Sequence, residues 1–320
     1  MPKVSVIIPI YGVEQYIERC AVSLLEQTLD DIEYLFINDC TNDNSIEILK
    51  QVISRYPLRL SQIRIVDMPK NSGQAAVRKY GIELATGDFI IHCDSDDWID
   101  VNMYKDMYDT AVSTMSDIVV CNYKIVNGKE VSITVEQTIS NKKINIISDL
   151  LVGNIEGYVW NKLVKSNLYK SLPYFPCDNL TEDLTMAIQL FYNSNSWSHL
   201  AKDYYHYYQN EESITNKRID DTHILKKGEQ VYRNFLLIEK FLKEQPDYSE
   251  YIKHLTIRKY RVKLGLRNMC IYPGGVKIWR TIFPELKLWS IFRYKLSLRT
   301  KIGYIITHLG LYSIIARFLK

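Results

Sequence analysis

The chain has 320 residues, of which 47% are hydrophobic and 24% charged, with 13 Gly and 9 Pro; this is enough apolar content for a sizeable core and excludes a disordered, collagen-like or low-complexity chain. Six cysteines, Cys20, Cys40, Cys93, Cys121, Cys177 and Cys270, show no CxxC spacing, which excludes a zinc knuckle or disulfide scaffold and fits a reducing cytosol. The net charge of +3 conceals a split: residues 251–320 carry fifteen Lys or Arg against the single acid Glu285, a net of +14, and the remainder carries −11, so an anionic surface is the expected partner of the C-terminal part.

The N-terminal run VSVIIPI is short and is followed at once by Glu14, Gln15 and Glu18, so it reads as a first strand rather than a secretory leader. Periodicity then alternates. Strands are predicted at Val4 to Pro9, Tyr34 to Asn38, Ile63 to Val66 and Phe89 to Cys93, and helices at about Glu14 to Gln27, Ser45 to Arg55 and Gln74 to Ala85. Strand–helix alternation with nearly continuous apolar strands is the pattern of a doubly wound, mostly parallel sheet buried on both faces. Further on, a strand at Asp117 to Val126, a turn at Asn127-Gly128 and a strand from Glu130 to Val135 suggest a hairpin. Thr181 to Asn193 is helical, with TEDL resembling a capped start, and residues 221–270 read as helices separated near Pro246.

In such sheets ligands sit at the carboxyl ends of the strands, and these ends are polar here. Asp94-Ser95-Asp96-Asp97 follows the fourth strand; carboxylates this close repel one another unless a cation compensates them, which points to a divalent metal, the alternative being a solvated turn or a helix cap. Asp39 in NDCTNDNS can cap the next helix or read the edge of a base. Tyr11, after Pro9, can stack a base or pack a loop. Asn71-Ser72-Gly73 followed by Arg78 offers backbone N–H groups and a forked cation to a diphosphate.

The order and spacing of VSVIIPIYG, INDCTNDNS, KNSGQAAVRKYGIELATGDFIIHCDSDDWI, and later VWNKLVKSNLYKS, LTEDLTMAIQL and YYHYYQNEESIT resemble a family 2 glycosyltransferase, an inverting enzyme of the GT-A fold. The likeness covers residues 3 to about 220 and is most specific before residue 125. It implies a Rossmann-like central sheet flanked by helices and a catalytic domain over residues 1–220, divided into a nucleotide-sugar-binding half (1–125) and an acceptor-binding half (126–220); the charge and periodicity of residues 221–320 read as a basic helical extension. It further implies that Pro9, Tyr11, Glu14, Asp39, Asn71, Gly73, Arg78, Asp94 and Ser95 bind the nucleotide sugar, with Tyr11 flanking the base and Arg78 facing the diphosphate. Asp94 and Asp96 would hold Mn²⁺ or Mg²⁺, and Asp183 would be the catalytic base. Asp97 and Glu182 would stand beside these groups. Read from the residues alone, Trp160 with Tyr158 can form an acceptor-sugar platform or belong to the core, and His206 can help close the site over the donor or pack its tyrosine-rich segment. The chain departs from the family pattern where DDGS becomes Asn38-Asp39-Cys40-Thr41, YN becomes Tyr11-Gly12 and ARN becomes Val77-Arg78-Lys79.

The expected activity is transfer of a sugar from a nucleoside diphosphate donor, UDP-linked first, to a glycan or lipid-linked glycan. A nucleotidyltransferase would want a glycine- and lysine-rich phosphate loop, which PIYGVEQY is not; a non-catalytic scaffold of the same fold is the other alternative. The tail from Leu298 to Lys320 alternates apolar residues with Arg299, Lys301, Arg317 and Lys320. Its apolar stretch is too short to span a bilayer and reads as an interfacial helix, which places the protein in the cytoplasm, peripheral on the inner face of the membrane. The competing readings are a helical cap on the core or a partner-binding helix. Nothing in the basic spacing suggests nucleic acid.

Overall fold

The computed structural model describes residues 1–127, 131–209 and 221–318. Gly128 of the predicted turn, Glu130 of the predicted strand, Asn210 to Thr215 of the YYHYYQNEESIT segment, the boundary at residue 220, and Leu319 and Lys320 lie outside the described residues.

The N-terminal half winds as β1 (Val4–Ile10), α1 (Ile17–Leu25), β2 (Ile32–Asn38), α2 (Ser45–Ser54), β3 (Ile63–Asp67), α3 (Gln74–Leu84) and β4 (Phe89–His92). The short β5 (Trp98–Ile99), α4 (Met103–Ser113), β6 (Ile118–Asn127) and β7 (Val131–Val135) follow. Then come α5 (Lys143–Val152), β8 (Lys162–Lys165), α6 (Ser166–Lys170), α7 (Glu182–Asn193) and β9 (Trp197–Tyr208). Strand order is β3-β2-β1-β4-β8-β6-β9-β5, with β7 on β6. Strands β1 to β4, β6 and β9 run in one direction, and β5, β7 and β8 run against them. The sheet is therefore mostly parallel.

β1 and β2 are buried on both faces because both faces are covered. Val6 and Ile8 pack towards α1, α2 and α4, and Ile7 and Ile37 towards α3 and the helices beyond it. Gly81 lets α3 lie close on the sheet, since a Cβ there would come within 2.5 Å of Ile7 Cγ2. The predicted hairpin is the antiparallel β6–β7 pair.

Beyond β9 the chain is helical: α8 (Asp221–Lys243), α9 (Tyr248–Gly265), α10 (Gly275–Thr281), α11 (Leu298–His308) and α12 (Tyr312–Phe318). The predicted break near Pro246 is the α8–α9 joint. Phe235, Tyr251, Trp279 and Tyr304 belong to the same core as Ile7 and Ile37, so these helices rest on the sheet's own layer. The single tail helix expected from Leu298 onward is two helices, because Gly310 adopts φ +80° and turns the chain between α11 and α12. Among the described residues no helix is long and apolar enough to cross a membrane.

Candidate active site

Four loops meet at the carboxyl ends of β1, β2, β3 and β4. After β1, Gly12 N–H donates to Thr41 Oγ1 (2.9 Å), and Glu14 Oε2 accepts from Asn44 N–H (3.0 Å). Pro9 offers its carbonyl to Ser95 Oγ (2.6 Å). Tyr11 stands half-exposed at the rim. After β2, the buried Asp39 accepts from the N–H groups of Ser72 (2.7 Å) and Gly73 (2.8 Å), and Asn71 Nδ2 donates to its carbonyl (3.2 Å). The anion expected at those backbone donors is thus supplied by the chain itself: Asp39 fixes the loop ahead of α3, with one N–H on each carboxylate oxygen, rather than capping α2.

Gly73 caps α3 at φ +82°, and a Cβ there would fall 2.5 Å from Asn179 Nδ2. Asn179 takes that place because its Oδ1 accepts the Ala75 N–H (3.1 Å). The loop before α7 is thereby seated on the start of α3.

Arg78, one turn into α3, is fully buried and is the centre of the arrangement. Nη2 donates to Asp94 Oδ1 (2.8 Å), and Nη1 donates to Glu182 Oε1 (3.0 Å) and to Asp183 Oδ1. The diphosphate-facing role expected of Arg78 does not describe this geometry: both terminal nitrogens face carboxylates, because a buried guanidinium requires ionic partners. Burial pushes its pKa down, but Asp183, Asp94 and Glu182 together outweigh it and raise it. Burial drives the Glu182 and Asp183 carboxyls upward, and Arg78 opposes the rise in both. TEDL is not a capping box. Thr181 sits at φ 65° with no side-chain cap, its hydroxyl donating to Leu180 O (2.5 Å).

The acidic run after β4 separates into different environments. Asp94 keeps Oδ1 on Arg78 and Gln74 Nε2 (3.1 Å). Asp96 remains partly exposed, and burial together with the charge of Asp94 raises its pKa to about 6. Asp97 is turned inward, accepting from Tyr205 OH (2.6 Å) and Tyr208 N–H (2.7 Å), and burial pushes its pKa well up. Asp97 therefore ties β9 to the site from behind. Among the described residues no group of three or more His, Cys, Asp or Glu side chains is arranged to hold a metal. A Mg²⁺ or Mn²⁺ ion at a nucleotide takes only one or two carboxylates, the rest of its shell coming from water and phosphate, and Asp94 with Asp96 offers that donor set.

Trp160 is not an acceptor platform. It is 1% exposed, stacked on Tyr205 (4.1 Å) and Tyr158 (4.7 Å), and is a core residue beneath the site. His206 stacks on Trp98 (5.0 Å), its Nε2 lies 3.5 Å from Asp100, and burial lowers its pKa; it packs β9 on β5.

Several residues here escape sequence reasoning. Lys162 is buried, donates to the carbonyls of Glu156 (3.0 Å) and Tyr158 (2.6 Å), and is driven by burial down to about 8, with Asp183 pulling it back up. Arg19 lies over Trp98 (3.7 Å) and donates to Asp96 O (2.9 Å). From α8, Arg233 grips Asp178 through two bonds (2.8 and 2.7 Å), and Asn234 Nδ2 donates to the carbonyls of Asp178 and Leu180 (both 2.8 Å). VWNK and TEDL flagged the first of these regions, but no local pattern connects residue 233 to residue 178.

The sequence model of glycosyl transferase family 2 matches residues 5–179. EpsH of Bacillus subtilis strain 168, which carries a glycosyltransferase name, is 30% identical over 79% of this chain and 73% of its own length. A poly(ribitol-phosphate) beta-glucosyltransferase of Bacillus spizizenii is 28% identical over 64% of this chain, which spans 32% of that protein. Residues 1–349 of S. aureus TarS in complex with UDP-GlcNAc superpose with a TM-score of 0.60 at 17% identity, covering 99% of this chain and 92% of that one. Mannosyltransferase PcManGT from Pyrobaculum calidifontis in complex with GDP-Man and Mn²⁺ gives 0.56 at 14% identity, covering 99% and 88%. The fold is GT-A.

Proposed function

This chain belongs to glycosyltransferase family 2, and we propose that it transfers a sugar, with inversion, from a nucleoside diphosphate donor, UDP-linked first, to a hydroxyl of a glycan or lipid-linked glycan in cell-surface polysaccharide synthesis. We assign the catalytic unit to residues 1–220 and the membrane-facing extension to 221–320, which has the protein working peripherally on the inner face of the membrane. The observation that carries the reading is the guanidinium of Arg78, which holds Asp94 of the donor-side acidic loop and Asp183 of the later helix on one planar fork. A donor carboxylate and a base are thereby one side chain apart. Relatives of the same fold solved with UDP-GlcNAc and with GDP-Man and Mn²⁺ agree with a nucleotide-sugar donor.

Asp183 takes the proton from the acceptor hydroxyl. Its raised pKa makes it a stronger base than a free carboxylate, and Arg78 keeps it ionised and aimed. Asp94 and Asp96 would hold a Mg²⁺ or Mn²⁺ ion, which when bound would supply positive charge for the departing diphosphate. Tyr11 covers the base, Asp39 with Asn71 and Gly73 shapes the wall beside it, Glu14 steadies the rim through Asn44, and Ser95 fixes the acidic turn on Pro9.

The test is a binding and hydrolysis screen of UDP-, GDP- and dTDP-sugars with Mn²⁺, Mg²⁺ or EDTA, on the native protein and on Asp96→Ala. One donor binding in a metal-dependent way, and lost in Asp96→Ala, is the expected result. Binding of no donor contradicts the transferase reading, and binding indifferent to EDTA contradicts the metal.

A further inference from the structure

The C-terminal extension does not cover all of its apolar surface. At 100° per residue, Leu298, Ile302 and Ile305 of α11 and Leu309 at its C-cap fall within about 60° of one another, while Tyr304 and Thr307 point to the opposite side and are fully buried. Tyr304 is fixed there by its hydroxyl, which donates to Leu286 O (2.6 Å), and by the ring of Tyr260 (5.0 Å). α11 therefore has two apolar faces: the one it needs to pack, and a second turned to solvent. On the second, Leu298 is 70% exposed, and Ile302 and Leu309 about half.

Two aromatics extend this face. Trp289, also 70% exposed, stacks on the half-exposed Phe292 (6.2 Å), and Lys301 Nζ lies over the Phe292 ring (5.6 Å). Lys301 flanks the stripe on one side and Arg299 on the other, and Lys287, Arg293 and Lys295 lie in the same segment. From residue 286 to residue 320 there are seven Lys or Arg and no Asp or Glu.

We propose that this face, α11's outer stripe with Trp289 and Phe292, is where the protein docks on an anionic bilayer, the apolar side chains entering the headgroup boundary and the flanking cations meeting lipid phosphates. It deepens the membrane reading above by naming its surface, and it rests on that reading only for the purpose of the contact. A self-paired dimer would set the cations of this face against their own copies, with no acid in the segment to offset them. An RNA or DNA backbone has no use for a projecting Leu-Ile-Leu stripe, whereas a membrane interface uses both features.

The experiment is sedimentation of the full chain with phosphatidylcholine vesicles carrying phosphatidylglycerol as about a third of the lipid, at low and high salt, against pure phosphatidylcholine. The native protein is expected to sediment with the anionic vesicles at low salt. Leu298→Ser with Ile302→Ser should weaken binding about tenfold or more, and Arg299→Glu with Lys301→Glu at least about fivefold per cation removed. Leu58→Ser, a 92% exposed leucine elsewhere, should bind as the native chain does. All four side chains replaced on the stripe are at the surface, and unchanged circular dichroism and unchanged nucleotide-sugar binding establish that the variants are folded. No sedimentation with anionic vesicles, or sedimentation indifferent to both double variants, overturns the proposal; so does a dimer that the stripe variants dissolve, or capture by single-stranded RNA in place of vesicles. Vesicle binding without any nucleotide-sugar binding would sink the transferase reading and leave this one standing, and the reverse result would do the opposite.

Discussion

Arg78 has no solvent and three carboxylates, so its charge and theirs are mutually obligatory; a guanidinium does so where an ammonium would not, because its fork reaches Asp94 with one nitrogen and Glu182 and Asp183 with the other. Asp96, two residues beyond Asp94, lies outside that fork and takes the consequence. Burial and Asp94 raise its pKa to about 6, so its protonated form is favoured in the fold. Without metal, this group's stabilising contribution is complete below its unfolded value near pH 4 and is lost as pH rises through about 6. A divalent cation requires the ionised form, so Mn²⁺ should raise the melting temperature clearly at about pH 7.5 and little at about pH 5. An equal rise at both would contradict a site at Asp96. Cys40 stands where the family pattern has glycine, and it retains the glycine conformation at φ 57°, its Sγ directed to Met68 O (3.1 Å). The left-handed backbone costs a side chain about 1–2 kcal/mol, partly offset because glycine loses more chain entropy on folding. Cys40→Gly should therefore stabilise by about 0.5–1 kcal/mol, and Cys40→Val should destabilise, both read by denaturant unfolding. The reverse order would mean that the thiol contact outweighs the strain.

The loop before α7 is positioned by two elements distant from it in sequence. α3 receives Asn179 at its first turn, and α8 holds Asp178 and Leu180 through Arg233 and the fully buried Asn234. Asn234→Ala takes the side-chain donor from Asp178 O and leaves Leu180 O with Thr181 Oγ1 alone, a loss of about 1–3 kcal/mol, and frees the segment that carries Asp183. Turnover in this variant should fall by more than donor binding does, measured as kcat against donor Kd; an equal loss of both would place the effect on the whole fold. The elements that sequence revealed well are those whose reason is local. β1 to β4 and α1 to α3 lie within a few residues of the predicted bounds, since an apolar run buried on both faces and a helical repeat each announce themselves. β8 was not legible: four residues inserted antiparallel between β4 and β6 owe their conformation to partners dozens of residues away. The choice between core and platform for Trp160 stays open in the sequence for the same reason, as its ring contacts come from β6 and β9. The two-helix tail turned on one glycine conformation, which periodicity cannot register.

At the scale of the molecule, the helical extension and the sheet share a core in which Phe235 and Tyr304 lie with Ile7 and Ile37. The cationic half of the charge split read from the sequence lies on the helical extension, where Arg299 and Lys301 flank the exposed apolar stripe. The site's defining contact, Arg78 with Asp183, spans 105 positions. Only the family resemblance connected those residues in advance, because physical reasoning on a linear chain cannot pair an arginine in one helix with an acid in a distant one. That contact also defines the most direct experiment: steady-state sugar transfer and donor binding by the native protein and by Asp183→Asn, which preserves shape and removes the base. Transfer should fall roughly 10²- to 10⁴-fold while the donor still binds with native affinity. Full transfer activity in Asp183→Asn would contradict the account at its centre.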